Sequence, residues 1–370
     1  MKIQKKIVIS IIITLVVLSA YSLFSSNDDS KYEDKNLKKE KNSSTSTIQD
    51  FVYASEKSIN AVVHIKSKII QDELYRYYDP FYDFFYGDGY RYFNNPKEKF
   101  ASGSGVIISN DGYIITNNHV INEANQIEVV LNDKRIYTAN ILGVDPTTDL
   151  ALLKIDETDL THLDFADSDK SKVGEWVIAV GNPFNLNSTV TAGIISAKGR
   201  NINLLNNPHA IESFIQTDAA INSGNSGGAL VSIKGELLGI NTAIQSRTGS
   251  YSGYGFAIPS NIVKKVVSDL KKYGQVKRAF IGIQISEITS KLAHQRNLKN
   301  GVLITKVFDG GAAKNAGIKN LDILLTINDF TIESVSSLQE QIAKYSPGDK
   351  INCSINRNGK LLRFSLDLSN

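Results

Sequence analysis

Asp218-Ala219-Ala220-Ile221-Asn222-Ser223-Gly224-Asn225-Ser226-Gly227-Gly228 sets one serine, Ser226, inside a glycine frame. A serine hydroxyl is a weak nucleophile until a base takes its proton and donors receive the oxyanion it creates. Glycines beside it let the backbone turn sharply and bring N–H groups up to a substrate carbonyl. Gly, Ser and Asn also make ordinary turns. The decision therefore rests on what the rest of the chain offers Ser226.

A base for Ser226 must come from five histidines: His64, His119, His162, His209 and His294. His119 closes the apolar run Tyr113-Ile114-Ile115-Thr116-Asn117-Asn118, and strand ends are where catalytic groups are commonly held. His64 lies inside Ala61-Val62-Val63-His64-Ile65 and reads as a strand residue, and the other three sit in polar surroundings. A carboxylate must orient the imidazole. Asp149 opens Asp149-Leu150-Ala151-Leu152-Leu153, an acid at the mouth of a core strand, where a charge without a partner is costly.

The order His119, Asp149, Ser226 separates two folds. Gly224-x-Ser226-x-Gly228 also fits the nucleophile elbow of α/β-hydrolases, but that fold needs its acid and histidine after the serine. Only His294 follows Ser226, in the charged segment Leu292-Ala293-His294-Gln295-Arg296. His…Asp…Ser is the chymotrypsin-like order. Short apolar runs alternating with Gly, Asn and Asp turns from Phe51 to Pro259 agree with barrels, and Asn110-Asp111-Gly112 marks a hairpin. The expected fold is mainly β: a chymotrypsin-like double β-barrel, with the site in the cleft between barrels.

Thr116-Asn117-Asn118-His119-Val120, Asp149-Leu150-Ala151-Leu152-Leu153 and Gly224-Asn225-Ser226-Gly227-Gly228-Ala229-Leu230 together resemble the signature blocks of the HtrA (Deg) serine proteases. The resemblance runs on through Gly181-Asn182-Pro183-Phe184 and Gly255-Phe256-Ala257-Ile258-Pro259. It implies catalytic His119, Asp149 and Ser226, with an oxyanion hole at Gly224, Asn225 and Ser226. Ala220, six residues before Ser226, carries no charge. A modest apolar pocket is therefore expected from Ile221, Ala243, Ile244 and Gln245. The loop carrying Arg200 is expected to be regulatory.

The segment after Val276 resembles a PDZ domain. Phe280-Ile281-Gly282-Ile283 matches its carboxylate-binding loop, a helix Val335 to Lys344 would flank a peptide groove, and Asn358-Gly359 makes a tight hairpin. The expected divisions are an anchor at 1–26, a polar linker at 27–50, a trypsin-like domain at 51–264, a linker helix at 265–278 and a PDZ domain at 279–370. Ser260 or Asn261 is expected to cap that helix, with Gly274 as its stop.

Composition narrows the partners. In 370 residues, 41 basic side chains nearly balance 38 acidic ones, with no basic stretch interleaved with aromatics, so nucleic acid is not expected. Cys353 is the only cysteine, which excludes an intrachain disulfide, and no Cys/His cluster points to a metal or other cofactor. Lys2, Lys5 and Lys6 precede an uncharged run from Ile7 to Phe24, close to the roughly 18–20 residues that span a bilayer. The lysines should stay cytoplasmic. An uncleaved signal-anchor in the bacterial inner membrane, with the rest periplasmic, is the first reading, and a cleaved signal peptide with a soluble periplasmic protein the second. Eleven Tyr and Phe residues between Tyr75 and Phe93 form an insertion expected to touch substrate or a neighbouring subunit, with membrane contact or packing on the barrel as alternatives.

One PDZ domain behind an anchor is similar to the DegS-type layout. That layout implies a stress sensor that C-terminal peptides regulate and that cleaves a membrane anti-sigma factor. A DegP- or DegQ-type degradative protease for unfolded or misfolded polypeptides is the alternative. A non-catalytic chaperone or scaffold is the alternative of another class. The family implies a homotrimer.

Overall fold

The computed structural model describes residues 51–70, 77–78, 90–91, 99–183, 188–205, 207, 210–244 and 253–369. The expected anchor and linker, most of the aromatic insertion and Gln245 lie outside the described residues. Gln49–Asn370 belongs to one compact unit.

A helix, α1 (Phe51–Ile59), precedes the first sheet: β1 (Val62–Ile69), β4 (Lys99–Ile107), β5 (Tyr113–Asn117), β6 (Gln126–Val130), β7 (Ile136–Thr138), β8 (Asn140–Asp145) and β9 (Leu150–Lys154). Two short strands, β2 (Tyr77–Tyr78) and β3 (Tyr90–Arg91), pair with each other inside the insertion. The first sheet runs β7-β6-β1-β4-β5-β9-β8. Its two edges are consecutive in the chain, separated only by Ala139. A single residue thus links the two edges, and among the described residues no ladder pairs β7 with β8, so this sheet is a half-barrel. The second sheet is a closed barrel, β10 (Trp176–Gly181), β11 (Thr189–Arg200), β12 (Phe214–Thr217), β15 (Gly255–Pro259), β14 (Leu237–Ile244) and β13 (Ala229–Ser232). The two-barrel expectation holds. So does the hairpin at Asn110-Asp111-Gly112: Val106 faces Ile115, and Gly112 takes φ +90°.

Buried side chains of both barrels share one core. Val106, Ile115, Leu150 and Leu152 of the first pack with Ile178, Val180, Val231 and Phe256 of the second. Helix α3 (Ser260–Tyr273) lays Ile262, Val263, Val266 and Leu270 on the same core, at the i, i+3, i+4 spacing of one helix face. It therefore starts five residues before the expected division at 265 and packs on the barrels rather than bridging open space. The expected Ser or Asn cap is corrected. Pro259 holds the N-cap position with no side-chain cap bond, Ser260 Oγ donates to the Ala166 carbonyl, and Asn261 Nδ2 to Asp167. Those side chains tie the helix to the barrel instead. The stop is as expected: Gly274 adopts φ +69° and its N–H caps Leu270 O.

The C-terminal module has its own core, from Ala279 to Leu368. Its sheet runs β16 (Ile283–Glu287), β17 (Val302–Val307), β18 (Ile323–Ile327), β20 (Lys350–Arg357) and β21 (Lys360–Asp367), with β19 (Phe330–Thr331) on β18. Helices α4 (Ser290–Gln295), α5 (Ala312–Ala316) and α6 (Val335–Ala343) complete it. Asn358 and Gly359, at φ +50° and +86°, turn β20 into β21 as expected of an Asn-Gly hairpin. Cys353 is buried in this core, and burial pushes its thiol up to about 12.

Candidate active site

Strand β5 and the four-residue helix α2 (Asn118–Ile121) deliver His119, and the mouth of β9 delivers Asp149. Tyr113–Asn117 of β5 pair antiparallel with Leu150–Lys154 of β9, Tyr113 opposite Lys154 and Asn117 opposite Leu150, so His119 and Asp149 emerge side by side. Asp149 itself has φ +58°, an uncommon left-handed conformation for a non-glycine residue. Hydrogen bonds hold it there: its carbonyl accepts from Asn118 N–H at 3.0 Å and Asn117 Nδ2 at 3.0 Å.

The Asp149 carboxylate is 2 % exposed and receives three donors. Oδ1 accepts the His119 main-chain N–H at 2.9 Å. Oδ2 lies 2.7 Å from His119 Nδ1 and accepts Thr242 Oγ1–H at 2.9 Å. A carboxylate on Nδ1 favours the tautomer whose proton sits there, leaving Nε2 to act as a base. Thr242 was not foreseen from the sequence. Its only signal is polarity, since Asn241-Thr242 interrupts an otherwise apolar strand, β14.

Ser226 follows a 3₁₀ turn, Ser223–Asn225, and is 2 % exposed. Its hydroxyl donates to the Thr242 carbonyl at 3.3 Å. Thr242 therefore faces both Asp149, through its side chain, and Ser226, through its carbonyl. Asn225 N–H bonds Asn222 O at 2.8 Å within the turn, so of the three expected oxyanion residues Gly224 and Ser226 keep the N–H groups suited to that role. Gly227 has φ +82°, and a Cβ there would stand 2.1 Å from Ser104 O and 2.3 Å from Thr116 Oγ1. Glycine is required by both conformation and space.

Of the expected pocket, Ile221 is fully buried, against Gly255, where a Cβ would come within 2.8 Å of Ile221 Cδ1. Ala243 and Ile244 fall on β14, their side chains outside the described ones. Arg200 ends β11, and its Nε donates to Gln216 Oε1 on β12 at 2.9 Å, a side-chain acceptor rather than a loop carbonyl. His64 is buried with Nδ1 2.8 Å from Asn182 O, and burial lowers its pKa below the ordinary imidazole value. His162 and His294 are exposed.

The loop Phe280 to Ile283 leads into β16, whose outer edge has no ladder partner among the described strands. Gly282 has φ +80° with Gly311 Cα 2.8 Å from where a Cβ would stand. Between this edge and α6 lies a cavity of about 580 Å³, lined by Phe280 to Ile285, Val335, Leu338 and Ile342, and from the barrels by Thr147, Ala210 and Ile211. Polar contacts join the modules among the described residues: Ser213 Oγ–H to Glu340 Oε2 at 2.6 Å, Lys344 to Asp169, and Arg278 to Asp145 and to Thr147 Oγ1. Among the described residues no group of His, Cys, Asp and Glu is arranged to hold a metal.

Two barrels with a His–Asp pair and a glycine-framed serine between them, followed by a module with an open strand edge, define a trypsin-like peptidase domain joined to a PDZ domain. Family profiles agree, matching a trypsin-like peptidase domain at 103–240 and a PDZ domain at 279–368. The chain is 42 % identical over 319 residues to the periplasmic pH-dependent serine endoprotease DegQ of Escherichia coli, covering 85 % of this chain and 69 % of that one. It is 43 % identical over 305 residues to a probable periplasmic DegP-like serine endoprotease of Chlamydia trachomatis, covering 81 % of this chain. It spans 61 % of that relative's length. Among solved structures, the HtrA-type protease AlgW with a decapeptide is 38 % identical, with TM-score 0.61, covering 86 % of this chain and 98 % of that one. The chain belongs to the HtrA family of serine endoproteases.

Proposed function

We propose that this chain is a serine endopeptidase of the bacterial periplasm that cleaves unfolded or misfolded polypeptides. The observation that carries the reading is the Asp149 carboxylate bound to His119 Nδ1 beside Ser226. Ser226 Oγ turns from the Thr242 carbonyl to His119 Nε2, gives up its proton and attacks the peptide carbonyl. The N–H groups of Gly224 and Ser226 receive the oxyanion. His119 returns the proton to the leaving amine, Asp149 steadies the imidazolium, and water then hydrolyses the acyl-enzyme by the same steps. Ile221 at the pocket base favours small aliphatic side chains before the cut. No cofactor enters. Periplasmic location rests on the printed names of the DegQ and DegP-like relatives.

The finer reading is a peptide-regulated stress sensor that cuts a membrane anti-sigma factor. Its support is the apolar groove beside the unpaired edge of β16, together with the AlgW structures that hold a tripeptide or decapeptide. A free C-terminal carboxylate would meet the Phe280–Ile283 loop while the peptide adds a strand to β16. Inner-membrane anchorage through Ile7–Phe24 and assembly as a homotrimer belong to the same reading. Among the described residues no helix is long and apolar enough to cross a membrane, and Ile7–Phe24 lies outside them. A degradative DegP- or DegQ-type role is the second reading, favoured by the relatives' names.

Casein cleavage by the full chain and by Ser226→Ala tests the chemistry. Parent activity with a loss of about 10⁴ or more in the variant is expected. Equal cleavage by both would end the assignment, and holding of unfolded protein without cleavage by either would mark a chaperone or scaffold. Stimulation by apolar C-terminal peptides, absent with amidated ones, tests the finer reading.

A further inference from the structure

The two N–H groups proposed for the oxyanion hole belong to peptides 223–224 and 225–226. Between them lies peptide 224–225, and its plane sets how both neighbours are aimed. That middle peptide is held at both ends. Its N–H, on Asn225, bonds Asn222 O, and its carbonyl, on Gly224, accepts Ser104 Oγ–H at 2.7 Å. Glycine at 224 adds no side-chain restraint of its own, so the hydroxyl supplies what the sequence there omits.

Ser104 is fully buried on β4 and each of its polar atoms is engaged. Oγ also accepts Asn182 N–H at 2.8 Å, which fixes the hydroxyl proton toward Gly224. Its own N–H donates to Ser226 O at 2.8 Å, and its carbonyl accepts Thr116 Oγ1–H at 2.7 Å. Asn182 is steadied in turn by His64, whose Nδ1 meets its carbonyl, and His64 faces Ser104 across the β1–β4 ladder. One residue of the first barrel thus touches both ends of Gly224–Ser226 without facing substrate, Gly224 through its hydroxyl and Ser226 through its main-chain N–H.

We propose that Ser104 is a positioning residue for the oxyanion segment, holding peptide 224–225 so that Gly224 and Ser226 present their N–H groups together. The inference rests on the serine-peptidase reading. Without Oγ, the Gly224 carbonyl and Asn182 N–H lose a shared partner and the middle peptide is free to turn. A full oxyanion donor is worth about 10²–10³ in rate, so loss of a support behind two donors is set at about 10- to 100-fold.

The test is Ser104→Ala in the full chain, assayed with fluorescein-labelled casein and with a fluorophosphonate probe, whose phosphoryl oxygen must enter the same hole. Expected are a 10- to 100-fold fall in kcat, a parallel fall in the labelling rate, and KM within about threefold of the parent. A purely structural role would lower the melting temperature without moving kcat in the cold. Ser104→Cys, which keeps the volume and a weak donor, is expected between parent and Ala. It also serves as the reporter should Ser104→Ala not fold. A folded variant with parental kcat and labelling, or a loss confined to KM, overturns the inference. Parent protein that neither cleaves casein nor takes the probe overturns the peptidase reading and this inference with it.

Discussion

Thr242→Val isolates one of the three donors on Asp149. The replacement keeps shape and removes only the Oγ1–H that meets Oδ2 at 2.9 Å. Hydrogen bonds to a charged group contribute about 1.5–3 kcal/mol, and the Asp149 carboxylate is buried, so solvent does not replace the lost donor. For a domain of roughly 150–250 residues each kcal/mol moves the melting temperature by about 2–4 °C, which gives a fall of about 3–12 °C. The effect on turnover should be smaller than that free energy implies. Asp149 still holds His119 through its main-chain N–H and Nδ1, and the lost bond is present in ground and transition states alike. Casein cleavage is therefore expected to fall by less than about tenfold, against about 10⁴ or more for Ser226→Ala. Differential scanning calorimetry and initial rates on one preparation measure both. An unchanged melting temperature would show that the bond contributes nothing. A loss of turnover comparable to Ser226→Ala would show that Thr242 acts on the reacting atoms, and the reasoning would fail.

Burial raises the Glu340 carboxyl pKa, so the native state holds a proton that the unfolded chain gives up near pH 4.3. Stability from this group is greatest below that pH and is lost as pH rises through the raised value, so Glu340→Gln should flatten the decline of melting temperature on the alkaline side, and equal slopes for both proteins would refute it. His64 acts in the opposite sense: burial lowers its pKa, the unfolded chain takes the proton first, and stability should fall as pH drops below about 6.5. His64→Gln should remove that component, read as the difference in melting temperature between pH 5 and pH 7.5. With its thiol pushed up to about 12 inside the sheet, Cys353 should resist iodoacetamide at pH 8 and react only on unfolding. Rapid labelling of the native chain would contradict its placement.

The proposed catalytic residues stand out in the sequence because each combines an unusual residue type with a fixed order: a scarce histidine, an acid at a core strand, a serine among glycines. The barrel pattern and the Asn358-Gly359 turn were legible because periodicity and turn chemistry are local. Thr242, Asn117 and Ser104 were not, since each is an ordinary polar residue in a strand until the fold brings its partner, up to 120 residues away for Ser104 and Gly224. All three are buried, but only Thr242, with Asn241, breaks an apolar run; Ser104 lies between two glycines and Asn117 between Thr116 and Asn118. The helix cap was misread for a related reason. Ser260 and Asn261 have capping chemistry, but the barrel at Ala166 and Asp167 offers them tertiary partners instead. The link at Ala139 between the two edge strands leaves no trace in the sequence, since it depends on which strands pair.

One group of the contacts between modules falls on a short stretch of chain. Ala210 and Ile211 line the groove beside β16, and Ser213, two residues on, donates to Glu340 of α6. Next comes β12, where Gln216 takes Arg200 and Thr217 Oγ1 accepts from Ala219 N–H. Asp218 Oδ1 receives Ile194 N–H at 2.6 Å, and Ala220 O receives Thr191 Oγ1–H at 2.7 Å. Ile221, the 3₁₀ turn and Ser226 follow. A peptide filling the groove would press on the segment that enters β12, and the segment that leaves β12 runs through Asp218 and the 3₁₀ turn to Ser226, the proposed nucleophile. A ligand shifts an equilibrium only by its differential affinity for the two states. Regulation by C-terminal peptides along this path would require that Ala210 and Ile211 sit differently in the active and inactive forms. Substitutions at those two positions should alter peptide stimulation and leave the unstimulated rate within about threefold, a range of under 1 kcal/mol. A protein whose rate ignores both the peptides and these substitutions would be a constitutive protease, with the groove serving only to gather substrate.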